Sequence, residues 1–356
     1  MPVGNKPLST ATKTSGGAAG ARADGTPAAT EFVRPIQGDL NAVEGLLKSE
    51  IRSDVRAAYE ISGHTLSAGG KRLRPVAVLL AARAVQNLFP ANTIYASAAA
   101  VELIHMASLI HDDVVDSADQ RRGRPTANAV FGNQISILVG DYLLAKSIYL
   151  AAREGNLDVI RIFSKVTVGL CEGEVLQITA RGDADTIEET YYDIIRRKTA
   201  SFIAGCCEVG ATLAGADDFN VAALSEYGLN IGIAFQIADD LLDFLGDTKV
   251  TGKPRCSDLR EGKMTLPLIA AYGGLDQSDP RRAEIADWIS APRELTPEQA
   301  ESTCALITEK NGFEYARAAA KRFVDQSQAG LERSLPPSEY RDALMSLAVY
   351  SLGREK

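Results

Sequence analysis

The sequence is poor in the residues that mark several common protein classes. Only three histidines and five cysteines occur among 356 residues. Cys171, Cys206, Cys207, Cys256 and Cys304 form no CxxC pair. That argues against a zinc site and a secreted disulfide framework, and predicts reduced thiols in a cytoplasmic setting. Aromatics reach only 6%. No uncharged apolar run approaches the ~18–20 residues that cross a bilayer, so no transmembrane segment is expected. Basic blocks are missing too: 38 Lys and Arg face 46 Asp and Glu, a net charge of −8, which excludes a nucleic-acid partner. Between residues 76 and 253 proline occurs only as Pro90 and Pro125. No stretch alternates apolar and polar residues between turn signals, so no sheet is expected.

What remains is 46% apolar residues, carried by Ala, Leu, Ile and Val and enough for a full globular core. Residues 1–31 are different in kind. After Met1 the only bulky apolar residues up to Thr30 are Val3 and Leu8, too few to offset the entropy of ordering, so this segment reads as disordered. It lacks the apolar core of a signal peptide and the amphipathic Arg-rich face of a transit peptide. From Phe32 onward the spacing is helical throughout. Asp279-Pro280 and Thr296-Pro297-Glu298-Gln299 read as late helix starts. The expectation is a single all-α domain over 32–356, with ten or more helices around a central cavity.

Two clusters carry the chemistry. Leu109-Ile110-His111-Asp112-Asp113-Val114-Val115-Asp116 closes one apolar helical run, and Phe235-Gln236-Ile237-Ala238-Asp239-Asp240-Leu241-Leu242-Asp243 closes another. Each contains DDxxD. Residues i and i+4 share a helix face, so Asp112 pairs with Asp116 and Asp239 with Asp243. Such like charges repel by roughly 1–3 kcal/mol at effective dielectrics between water and a protein surface. Facing a cavity, they call for a cation. One acidic triplet is ordinarily a solvated helix surface; two copies, each after an apolar helix, argue for a site. Oxygen ligands without His or Cys favour Mg²⁺, which bridges carboxylates to phosphates. Cations accompany the carboxylates: Gly69-Gly70-Lys71-Arg72-Leu73-Arg74-Pro75, Arg121-Arg122-Gly123-Arg124, Lys198-Thr199, Lys253 and Lys263. Guanidinium forks suit phosphate oxygens, although basic residues are more often plain surface.

With these motifs in order the chain resembles the trans (E-type) isoprenyl diphosphate synthases, or polyprenyl synthetases. The likeness runs from Leu40 to the C-terminus and rests on GGKRLRP, the two DDxxD helices, FGNQISILVGDYLL, EGEVLQI, the Lys-Thr pair and GKPRCSDLREGKMTLPLI. It implies the isoprenoid synthase fold, a homodimer and about three Mg²⁺ ions per site. By resemblance, Asp112, Asp113 and Asp116, with Asp239, Asp240 and Asp243, hold the metal. Gly70, Lys71, Arg74, His105 and Arg122 resemble the isopentenyl diphosphate site. Arg121, Lys198 and Lys253 resemble the allylic diphosphate grips, with Thr199 and Gln236 beside the developing cation. His105 lies two turns before Asp112 on nearly the same face, although a lone His on an apolar helix is more often core. Cys256 departs from the family, which usually has Gly there. Arg354 and Lys356 resemble the family's basic tail only weakly.

The implied chemistry is ionisation of the allylic diphosphate, attack by the isopentenyl double bond, and proton loss to the released diphosphate. Product length is expected to depend on the helix above Asp112, each turn of which matches about one isoprene unit. Ser108 and Ala107 are small where the family places blocking aromatics, with Ile104 a turn deeper. The expected product is about C30–C50, such as a quinone side-chain precursor. The alternatives are a C20 geranylgeranyl diphosphate synthase, a class I terpene cyclase and a regulatory subunit of a heteromeric synthase. The second DDLLD and the GGKRLRP segment count against a cyclase. The six retained aspartates count against a subunit.

Overall fold

The computed structural model describes residues 29–85, 89–246, 255–290 and 295–353. Lys253, Arg354, Lys356 and nearly all of the expected disordered segment lie outside them. The first helix, α1 (Ala29–Val33), runs across the expected boundary at residues 31 and 32. It leads through a 3₁₀ turn (Arg34–Ile36) to α2 (Gln37–Glu50), α3 (Arg56–Ser67) and α4 (Leu73–Val85).

The site is built on a few longer helices. α5 (Ala91–Val115) carries the first aspartate cluster at its C-terminal end, and Asp116 is its C-cap. A small hairpin follows, β1 (Gln120–Arg121) against β2 (Arg124–Pro125), which is the paired backbone that the sequence pattern did not announce. Next come α6 (Ala127–Phe131), α7 (Asn133–Arg153), α8 (Leu157–Ala180) and α9 (Glu188–Ile195). A π turn, Arg196–Ala200, joins α9 to α10 (Ser201–Leu213). The second cluster ends α11 (Asp218–Leu245), whose N-terminus is capped by Asp217 accepting from the Asn220 N–H at 2.8 Å.

The remaining helices close the bundle: α12 (Ser257–Arg260), α13 (Leu266–Gly273), α14 (Pro280–Ile289), α15 (Pro297–Glu309), α16 (Gly312–Ser334) and α17 (Glu339–Leu352). Both late helix starts read from the sequence are present. Asp279 caps α14, and Thr296 with Gln299 forms a reciprocal capping box on α15.

Helix α5 packs on α4 and α7, α10 on α4 and α11, and α11 on α16. Ala96 to Val101 of α5 are all at most 1% exposed, as expected of a helix that is apolar all round. This corrects the membrane reading. Counting uncharged runs was too strict, because α5, α7 and α11 are each long and apolar enough to cross a bilayer. For α5 and α11 most of that apolar surface is spent on the core, with 72% and 56% of the relevant windows buried. For α7 only 39% is buried, and Ile135, Ile137, Leu138, Ile148 and Tyr149 stay exposed.

Candidate active site between the two aspartate helices

A cavity of about 550 Å³ lies where the ends of α5 and α11 face the start of α4 and the π turn. Most of the sequence-derived site residues line it. They include Gly70, Lys71, Arg74, His105, Arg121 and Arg122 on one side, and Lys198, Thr199, Gln236 and Asp239 on the other, with Asp112 and Asp113 beside them. A smaller cavity of about 150 Å³ shares Lys198, Thr199 and Gln236 and adds Asp240, Arg181 and Lys263.

The basic residues are held by specific contacts. Arg122, in a left-handed conformation, donates to the Gly69 carbonyl, so the hairpin closes onto the Gly69-Gly70 turn. Lys71 sits 4.7 Å from the centre of the Tyr350 ring, and Arg74 4.7 Å from that of Phe202. Burial lowers the pKa of Arg74 and, aided by the Arg74 charge, drops His105 well below its usual range, so His105 is neutral near pH 7. Arg72, also at the cavity wall, binds Glu44 at 2.5 Å and the buried Glu102 at 2.9 Å, which fixes the turn carrying Lys71 and the start of α4 with Arg74.

Five of the six aspartates divide by environment. Burial pushes Asp112 up to about 6 against the pull of Lys198. Asp113 is buried and accepts from Arg121 Nε at 2.7 Å. For Asp116 burial acts upward, but Lys263 and Arg181 outweigh it and its pKa falls. Arg181 Nη2 lies 2.6 Å from its carboxylate. Asp240 accepts from Tyr191 Oη at 2.6 Å and Gln236 Nε2 at 2.9 Å, while Gln236 Oε1 accepts from Thr199 Oγ1 at 2.9 Å. Asp243 accepts the backbone N–H groups of Ser257 at 3.0 Å and Asp258 at 3.1 Å. Burial raises both Asp240 and Asp243.

No group of three His, Cys, Asp or Glu side chains among the described residues makes a ready-built metal site. The fit is instead that of crowded carboxylates on two facing helices, where burial disfavours the charged forms of Asp112, Asp240 and Asp243 and calls for compensating positive charge. A hard cation sharing its shell with phosphate oxygens would meet that need.

Two glycines let the π turn reach the site. A Cβ on Gly173 of α8 would stand 2.6 Å from the Lys198 nitrogen, and one on Gly232 of α11 2.6 Å from the Ala200 Cα. Lys198 pairs there with Glu174.

Three residues named for product length separate. Ser108 lines the cavity, whereas Ala107 and Ile104, each 2% exposed, do not. At 100° per residue Ala107 lies about 140° around the helix from Asp112. The apolar lining includes Met106, Leu109, Leu170 and Phe235. Sequence reasoning missed Arg181, Tyr191 and Glu174. Glu174 lies within the EGEVLQI segment, whereas Arg181 and Tyr191 carry no local signal.

The sequence profile of the polyprenyl synthetase family matches residues 55–307. Heptaprenyl diphosphate synthase component 2 of Geobacillus stearothermophilus is 41% identical over 316 residues, covering 88% of this chain and 95% of that protein. Octaprenyl diphosphate synthase of Haemophilus influenzae is 38% identical, covering 91% and 96%. The crystal structure of a Caulobacter crescentus polyprenyl synthase complexed with calcium and isoprenyl diphosphate superposes with a TM-score of 0.86 at 36% identity, covering 92% of this chain and 98% of that one.

Proposed function

The chain belongs to the polyprenyl synthetase family, and from that premise we propose that it condenses isopentenyl diphosphate with an allylic diphosphate to make a long-chain all-trans polyprenyl diphosphate. The observation that carries the reading is the single cavity joining Asp112 and Asp239 with Lys71, Arg74, Arg122 and Lys198. Two diphosphates need two cationic cradles and one set of acidic metal ligands, and these lie around one space.

Bound Mg²⁺, about three ions, supplies the positive charge that stabilises the leaving diphosphate. Asp112 and Asp116 on one helix and Asp239 and Asp243 on the other are the residues to hold it. Lys71, Arg74 and Arg122 bind isopentenyl diphosphate, with neutral His105 beside them. Lys198 and Arg121 bind the allylic diphosphate, together with Lys253 outside the described residues. Tyr191 and Asp240 fix the amide of Gln236. Gln236 in turn orients the Thr199 hydroxyl, leaving its oxygen lone pairs available to the allylic cation.

Small Ser108 leaves room for a chain of about C30–C50, in keeping with the heptaprenyl and octaprenyl names of the relatives. Incubation with isopentenyl diphosphate, primers of several lengths and Mg²⁺, followed by sizing of the products, tests the proposal. Farnesyl diphosphate alone would defeat the chain-length part, and no condensation at all would defeat the whole reading.

We infer a homodimer in a cytoplasmic setting. Five unpaired cysteines support a reducing compartment. On α8, Val168, Val175 and Ile178 stay exposed on one stripe beside the exposed face of α7, a surface suited to a second copy. The component 2 relative raises a heteromeric partner as the second reading.

A further inference from the structure

The segment between α11 and α12 contains a feature the proposed reaction does not use. Cys256 is fully buried, with φ 58° and ψ 38°, a left-handed conformation that favours glycine. Its sulfur lies 3.9 Å from the Ala300 carbonyl oxygen on α15. One turn further along α15, Cys304 sits 3.8 Å from the Phe244 carbonyl oxygen, and Arg255 Nη2 donates to its sulfur at 3.4 Å. Both thiols therefore lie at one turn of α15, and Cys304 is the partly exposed member.

We propose that Cys256 and Cys304 form a reversible redox-modification site that a low-molecular-weight disulfide converts into an intramolecular disulfide. Cys304 thiolate attacks one sulfur of the oxidant, forming a mixed disulfide and releasing one thiolate. Cys256 gives up its proton and attacks the Cys304 sulfur, releasing the second thiol. The protein loses two electrons and two protons, and the oxidant becomes two thiols. The hydrogen bond from Cys256 and the Arg255 charge, against the opposing effect of burial, lower the Cys304 pKa to about 7, which suits it to the first step.

The cross-link would pin residues 255–258 to α15. Cys256 N–H donates to the Asp243 carbonyl, and the next two N–H groups hold the Asp243 carboxylate, so the pinned segment is the one that orients Asp243. The cross-link stands on the placement of both thiols at one turn of α15 and is independent of the metal reading.

The test exposes the reduced full-length protein to oxidised glutathione, counts thiols and maps peptides without reduction. Two of the five thiols should disappear, with Cys256 joined to Cys304, and dithiothreitol should restore them. The Cys256→Gly variant, whose backbone suits that conformation, should lose the link and keep a single glutathione on Cys304. Amide exchange over 255–258 should slow roughly threefold or more on oxidation. Glutathione on Cys171 with no Cys256–Cys304 link would overturn the site. A link with unchanged exchange would overturn its coupling to Asp243.

Discussion

Lys198 occupies a backbone irregularity, one residue before the hydroxyl that Gln236 orients, and it pairs with Glu174 from a neighbouring helix. Lys198→Ala should lower kcat by about 10²–10³-fold with an unchanged circular dichroism spectrum, measured by product formation. Ser108, the one small residue of the expected trio that reaches the cavity, makes a second prediction. Ser108→Phe should shorten the product distribution on chromatography, whereas Ala107→Phe should destabilise the core without shortening it first. Cys304 supplies a pH prediction. Its pKa is lowered to about 7, so the thiolate forms on raising the pH through that value. Alkylation of Cys304 by iodoacetamide should therefore be half-maximal near pH 7, more than a unit below an ordinary thiol. The aspartates were legible because both ligand type and i, i+4 spacing are local. Arg181 was not: its partner Asp116 is 65 positions away, and only the fold brings them together.

At the scale of elements, the caps on α14 and α15 could be read directly, since a capping box is a four-residue event. The π turn could not. Nothing in Arg196–Ala200 breaks a helical pattern, and its shape depends on what packs against it. Gly173 is the nearest cause. Gly173→Ala would force a Cβ to 2.6 Å from the Lys198 backbone nitrogen. It should cost about 1–3 kcal/mol in thermal unfolding and lower kcat, because the strain falls on the backbone that aims Lys198 and Thr199. Helix faces above Asp112 were legible only in part. The period was known, but which neighbour each face meets was not, and of the three residues only Ser108 lines the cavity.

For the molecule as a whole, the all-α character followed from missing prolines and missing alternation, while the exposed faces of α7 and α8 came from the structure alone. Leu138→Glu together with Val175→Glu, both at positions more than 60% exposed, should leave the monomer folded and shift sedimentation from dimer to monomer. An unshifted boundary would point to another face or to a single-copy protein. A different consequence follows from Tyr350, which lies under Lys71 on one side and against Phe32, at 5.0 Å, on the other. A ribosome makes Phe32 and Lys71 early and Tyr350 late. Until α17 emerges, the turn proposed to receive isopentenyl diphosphate has no floor beneath its lysine. Nascent chains should therefore carry the acidic helices well before they can condense anything, and activity should switch on only once α17 has emerged.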